Sequence, residues 1–186
     1  MTIHHSAALA LRDEPMEAMT RIGYAGSPDT GTAFRDAMRR VVTAVHVVTS
    51  DGAHGRAGMT ASAVTSVSDR PPTVLVCLNG SSASAARLIK NGVFCINTLG
   101  PGDEEIAATF AGRTELPQHR RFERGRWGTL VTGAPMLETA IAGFDCRLTD
   151  VRRIATHDVL IGEVLAVFGS GDGTALAYLD RTYRTV

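Results

Sequence analysis

Apolar and polar residues change rhythm several times along this chain, and each change marks an element. Phe34, Ala37, Met38, Val41 and Val42 recur at helical spacing, which predicts an amphipathic helix over Phe34–Val42. Ala44–Thr49 is β-branched and predicts a strand, with Ser50-Asp51-Gly52 as the turn behind it. Gly58–Val67 reads as one alternating strand. After Pro71-Pro72, the apolar run Thr73–Leu78 reads as a strand buried on both faces. Ser82–Lys90 predicts a short helix, with Ser82 or Ser84 as N-cap and Gly92 just past its end. Val93–Leu99 is another strand. Gly100-Pro101-Gly102 then opens a second short helix, Asp103–Phe110, closed by Gly112. The polar stretch Arg113–Trp127 predicts irregular backbone. Ala140–Asp150, Val159–Phe168 and Leu176–Tyr183 bring the total to about seven strands, with GSGDGT (Gly169–Thr174) as the turn of the last hairpin.

The strands do not alternate with long helices, which argues against a doubly wound parallel sheet. The pattern predicts a mainly β domain, a small and mostly antiparallel barrel with a few short peripheral α-helices. Residues 1–31 lack sustained periodicity and end in the turn-rich GSPDTGT. They are expected to form a flexible extension, with one short helix around Pro15–Arg21, ahead of a single domain over 32–186.

Composition narrows the function. Of 186 residues, 44% are hydrophobic and 20% charged, and Lys+Arg and Asp+Glu both number 19. The absence of a basic excess argues against a nucleic-acid partner. No apolar run reaches the roughly 20 residues of a membrane span, so no membrane association is expected. Ala7–Leu11 is too short for a signal segment and runs into Arg12, Asp13 and Glu14, so a cytoplasmic location is expected. Cys77, Cys95 and Cys146 lie inside apolar runs without CxxC spacing and read as small buried hydrophobes. Phosphate-cradling GxGxxG and GxxxxGK[ST] motifs and the GxSxG elbow are missing, and the six histidines form no ligand pair, so no metal site is expected.

Gly58–Val67 raises the functional question. On alternating faces it carries Met59, Ala61, Ala63, Thr65 and Val67, and then Thr60, Ser62, Val64 and Ser66. Periodicity alone leaves two readings, a solvent-facing strand or an open shelf over which a flat ligand lies. The next turn, Asn79-Gly80-Ser81-Ser82, leads into a helix N-terminus, whose unpaired N–H groups suit a phosphate. Together they read as a phosphate seat beside a ring seat.

MTASAVTSVSDRPPTVLVCLNGSS (Met59–Ser82) resembles the flavin reductase-like family, short-chain NAD(P)H:flavin oxidoreductases that include the reductase components of two-component flavin monooxygenases. The resemblance continues through NGVFCINTL, ATFAG, RFERGRW, FDC, THDVLIGEV and YLDRTYR, in the family's order, from about Phe34 to Arg184. It implies a split β-barrel of Greek-key type that binds FMN or FAD and NADH or NADPH, normally as a homodimer. Reduced flavin would pass by diffusion to a flavin-dependent monooxygenase. It also implies that Thr60, Ala61, Ser62, Ala63 and Val64, with Ser66, contact the flavin. Asn79, Ser81 and Ser82 would hold the ribityl-phosphate, without any Lys or Arg between Pro71 and Ala86. Phe110, Ala111 and Gly112 would close over the flavin, and Tyr183 would complete the pocket. His157 would be the residue of the reaction itself, seating the nicotinamide rather than donating a proton. The five arginines at 113, 120, 121, 124 and 126 are candidates for a dinucleotide pyrophosphate. Two other functions remain open on the same fold: a flavoprotein that keeps FMN and reduces its own organic substrate, and a flavin-binding module without enzymatic activity.

Overall fold

The computed structural model describes residues 30–169 and 173–186. The helix expected around Pro15–Arg21 lies outside them. Helix α1 spans Thr30–Met38, and all the strands described below belong to the unit Arg39–Val186. The helix was expected four residues later. Val41, Val42 and Thr43 are β-branched, lose side-chain freedom in a helix, and lead into extended backbone instead.

The expected strand Ala44–Thr49 is two strands, β1 (Thr43–Ala44) and β2 (His46–Ser50). The chain changes sheets at Val45, whose N–H donates to Leu176 O and whose carbonyl accepts from Leu99 N, both at 2.9 Å. β2 enters a seven-stranded antiparallel sheet ordered β3–β2–β6–β9–β10–β5–β4. Its other members are β3 (Ala57–Ala61), β4 (Val64–Asp69), β5 (Pro72–Asn79), β6 (Val93–Thr98), β9 (Ala142–Ile154) and β10 (His157–Gly169).

Gly58–Val67 is therefore not one strand. It breaks at Ser62-Ala63 into β3 and β4, which are the two opposite edges of the same sheet. Strands separated by only two residues can occupy opposite edges only if the sheet curls round on itself. Ala63 stays with the β4 side of the break: Cys77 N–H donates to Ala63 O at 2.9 Å, one step beyond the Val64–Val76 pair of the β4–β5 ladder. The result is a split barrel whose seam is not laddered shut. Val48, Val76, Leu78, Phe94, Ile96 and Leu160 fill its interior, together with Leu88 from α2 (Ala83–Asn91). Helix α2 is capped as the sequence predicts: Ser82 Oγ accepts from Ala85 N, and Gly92 ends the helix with φ 71°.

A second sheet, β1–β11–β12, uses β11 (Leu176–Leu179) and β12 (Thr182–Thr185). This corrects two expectations. The strands on either side of Gly169–Thr174 do not form a hairpin, because β10 pairs with β9 and β5 while β11 pairs with β1 and β12; residues 170–172 themselves lie outside the described ones. The last hairpin lies inside the expected strand Leu176–Tyr183, which folds back at Asp180-Arg181 with φ 49° and 62°. A 3-10 turn over Gln118–Glu123 falls within the stretch expected to be irregular, and a small hairpin of β7 (Trp127–Thr129) and β8 (Pro135–Leu137) follows it, where the sequence pattern predicted no element. The described residues thus hold 12 strands rather than about seven.

A second apolar cluster packs Val45, Val47, Leu99, Leu137 and Leu176 against Ile106 and Phe110 of α3 (Glu104–Phe110). Phe110, Phe122 and Trp127 meet edge to face, with centroids 5.0 to 5.4 Å apart. Buried polar side chains pin the segment after Thr129 to the sheet. Asn97 donates to Val47 O and Thr49 Oγ1 and accepts from Leu137 N at 2.7 Å. Asp103 accepts from Gly100 N and Thr139 Oγ1, and Asp145 accepts from the amide and hydroxyl of Thr132. Each satisfied bond avoids the roughly 1–3 kcal/mol cost of burying an unpaired polar group. Cys95 and Cys146 are fully buried. Burial pushes both thiols up, Cys146 to about 12, which suits small hydrophobes rather than reactive groups.

Candidate functional site

The break between β3 and β4 builds the site. The end of β3 lies beside the sheet-switch residue, the end of α3 and the last hairpin. Together these enclose a cavity of about 160 Å3, lined by Val45, Thr60, Ala61, Ser62, Ala111, Arg113, Tyr178 and Tyr183. Small side chains at Ala61, Ser62 and Ala111 leave it open. Five expected flavin contacts therefore meet here: Thr60, Ala61, Ser62, Ala111 and Tyr183.

The hydroxyls of this wall differ in their duties. Thr60 Oγ1 donates to Ala107 O at 2.7 Å, tying β3 to α3. Ser62 is exposed, and its hydroxyl makes no hydrogen bond within the described residues, so it is available to a ligand. Opposite them, Tyr178 and Tyr183 lie with ring centroids 5.4 Å apart. Burial raises the Tyr183 phenol above its ordinary range, which keeps it a hydrogen-bond donor at neutral pH. Arg113 Nη2 donates to Tyr178 Oη at 3.1 Å, and its guanidinium lies 5.6 Å from the centre of that ring.

From the cavity the seam leads to a second cluster. Ala63 follows Ser62 and bonds Cys77, two residues before Asn79 at the end of β5. Asn79 faces His157 in the β5–β10 register. His157 opens β10, is exposed, and shares a 2.9 Å hydrogen bond with Thr156 through Nδ1. Asn79 Oδ1 accepts from the amide and hydroxyl of Ser81, at 3.0 and 2.8 Å, and Ser82 caps α2. The structure thus brings Asn79, Ser81, Ser82 and His157 together, outside the cavity lining but along the same seam.

Other expected contacts lie elsewhere. Val64 packs against the barrel core, Ser66 is exposed on β4, and Phe110 is buried in the aromatic cluster. Gly112 ends α3 at φ 71°, and a side chain there would press on Arg121 Nη2 at 3.1 Å.

Three residues escaped the sequence reading. Tyr178 lies 65 positions from Arg113, and Val45 looked like mid-strand. Arg153 of β9 lies across Gly80, where an added Cβ would meet its Nη1 at 1.6 Å. The loop without Lys or Arg of its own thus receives a guanidinium from β9, itself paired with Asp158 at 2.8 Å. Strand register creates these neighbours, and no local motif announces them. Among the described residues, no group of His, Cys, Asp and Glu could hold a metal ion, and no helix is long and apolar enough to cross a membrane.

A curled antiparallel sheet with an open small-residue cavity at the end of β3, and a helix N-terminus just after β5, defines a split-barrel protein. A family model described as the flavin reductase like domain matches residues 38–186, and the chain belongs to that family. It is 50% identical over 168 residues to an FMN reductase (NADH) RutF of Methylorubrum extorquens, covering 90% of this chain and 83% of the relative. Among solved structures it is similar to the flavin reductase BorF of a bacterial two-component tryptophan halogenase. That match has 29% identity, a TM-score of 0.76, and covers 83% of this chain and 97% of BorF. The NADH:FAD oxidoreductase SgcE6 of Streptomyces globisporus, solved with NAD and FAD fragments, is 27% identical with a TM-score of 0.76, covering 85% and 93%.

Proposed function

We infer that this protein is an NAD(P)H:flavin oxidoreductase that reduces FMN or FAD and releases the reduced flavin to a flavin-dependent monooxygenase. The observation that carries this reading is the open seam. The unbonded Ser62 hydroxyl and the small wall of Ala61 and Ala111 line a cavity there, and the chain runs on through Ala63 to its bond with Cys77, two residues short of Asn79 opposite His157. The donor set fits a flavin. A flat ring needs an uncrowded wall, which the cavity provides. A phosphate needs a helix N-terminus, and the first turn of α2 holds no acidic residue. Arg153, beside Gly80 and paired with Asp158, adds guanidinium donors there.

When both nucleotides are bound, the chemistry is hydride transfer from nicotinamide C4 to flavin N5. The chain's part is placement. The β3 wall positions one face of the ring, Ser62 anchors its polar edge, and His157 seats the nicotinamide. Aligning two bound rings can lower a barrier by about 7 kcal/mol or more. A metal is not required, and neither is a side-chain acid or base. Because the cavity is open and its anchors few, flavin is held moderately and can leave, as a diffusible product must. The relatives' names support FMN with NADH as the pair to test first. We place the protein in the cytoplasm and take the working form to be a homodimer, in which a second copy encloses the half-open cavity.

The test is NADH consumption at 340 nm with purified protein and added FMN or FAD. Consumption that scales with added flavin supports the reading. A protein that binds flavin yet oxidises no NADH would be a binding module instead.

A further inference from the structure

The cavity contains a cation without an acidic partner. Arg113 lies on its wall, and among the described residues no carboxylate comes within ion-pair distance of it. Arg56, Arg120, Arg124, Arg126, Arg147, Arg152 and Arg153 each have such a partner. The rest of the lining is apolar, hydroxyl or phenol. Glu104 influences Tyr183, but more weakly than Arg113 does.

A guanidinium has five N–H donors in a rigid plane and no acceptor. The Tyr178 hydroxyl takes one of them, and the Tyr178 ring lies against the guanidinium. Arg113 is therefore held in place with donors to spare. Next to it stand Val45, Ala61 and Ala111, walls suited to a flat ring rather than to a tetrahedral phosphate. The hydroxyls and helix N-terminus that suit a phosphate lie at Asn79–Ser82, outside this cavity. Of the two ends of a flavin ring system, only the pyrimidine carries acceptor oxygens and nitrogens.

We propose that Arg113, positioned by Tyr178, hydrogen-bonds the pyrimidine edge of the flavin and stabilises the negative charge that the ring gains on reduction. This rests on the flavin reductase reading. The hydride leaves nicotinamide C4 with both electrons of its C–H bond, giving NAD(P)+, and forms the new N5–H bond. The flavin has then gained two electrons and one proton, so one negative charge spreads over N1 and the C2 oxygen. A fixed cation stabilises that charge more than it stabilises the neutral oxidised ring, so it favours the product side of the reaction. Arg113 thus sets how much better the protein binds reduced than oxidised flavin.

The experiment measures dissociation constants for oxidised FMN and, anaerobically after dithionite, for reduced FMN. It compares wild type with Arg113→Met, Arg113→Lys and Tyr178→Phe, and repeats the series with riboflavin, which has no phosphate. Arg113→Met is expected to weaken reduced FMN about tenfold and oxidised FMN less than about threefold. Lysine should recover most of the loss, Tyr178→Phe should fall between, and riboflavin should behave as FMN does. Equal losses for both redox states, no loss in either, or a loss seen with FMN but not riboflavin would each overturn the proposal. The last result would assign Arg113 to the phosphate. The redox preference is read without NADH. If wild type shows the preference but no NADH oxidation, the reductase reading alone has failed; if it oxidises NADH but the preference is absent, this inference alone has failed.

Discussion

Thr60 separates two ways in which a hydroxyl can serve a binding site. The family resemblance makes it a flavin contact, whereas its Oγ1 donates to Ala107 O at 2.7 Å and ties β3 to α3. Thr60→Val keeps the shape and deletes the donor. Ala107 O also accepts from Ala111 N at 3.0 Å, so the carbonyl is not orphaned. The cost should therefore be about 1 kcal/mol, the net value of one ordinary hydrogen bond, rather than the 1–3 of a buried unsatisfied group. For a unit of this size that lowers the melting temperature by about 2–4 °C. Because α3 leads straight into Ala111 and Arg113, both on the cavity wall, loosening it should weaken flavin binding, but only by about threefold, and Thr60→Ser should restore both properties. Thermal unfolding and flavin fluorescence titration on the three proteins decide the matter. An unchanged melting temperature with a tenfold or larger loss of flavin affinity would refute this reasoning and make the hydroxyl a direct ligand contact.

Other outcomes follow from neighbouring residues. Ser62→Val should weaken flavin binding about tenfold, by deleting an anchor and adding bulk at an exposed position, with melting temperature unchanged; equal affinity would remove Ser62 from the site. His157→Ala should lower kcat/KM for NADH by more than it changes flavin affinity, whereas a drop in melting temperature alone would make it structural. His46 is buried and bonded to Thr98, and burial lowers its pKa from 6.5 to about 4. Between those values the unfolded chain binds the proton and the folded one does not, so stability falls as pH drops below 6.5. At pH 5 the loss from this residue should be about 2 kcal/mol, and His46→Gln should flatten the pH dependence of unfolding measured between pH 7 and 5.

What the sequence announced and what it concealed divide by range. The caps of α2 were legible because Ser82 and Gly92 act within one turn of their own helix. So was β5, whose apolar run needs no partner to be recognised. The break at Ser62-Ala63 was hidden, since neither residue is a glycine or proline and both continue the alternating pattern on either side. It exists because β3 must pair with β2 and β4 with β5. The turn at Asp180-Arg181 was hidden too, because two non-glycine residues take positive φ there. GSGDGT carried the strongest turn signal in the C-terminal third of the chain, yet pairing, not turn chemistry, decides which strands a loop connects. Of the expected site, the small-residue wall and the Asn79–Ser82 turn could be read locally. Their union with Arg113, Tyr178 and Arg153 depends on register between distant strands.

The seam between the two sheet edges also governs how the barrel breathes. A laddered pair of strands opens only when several bonds fail together, whereas no ladder joins β3 to β4, the two edges of the sheet. Opening there is a local event, and amides of the edge strands β3 and β4 should exchange with solvent faster than those of the interior strands. A ligand lying along the seam would tie the edges together and slow that exchange. Entry and exit of a diffusible molecule can then proceed by parting this line, while the rest of the sheet stays folded.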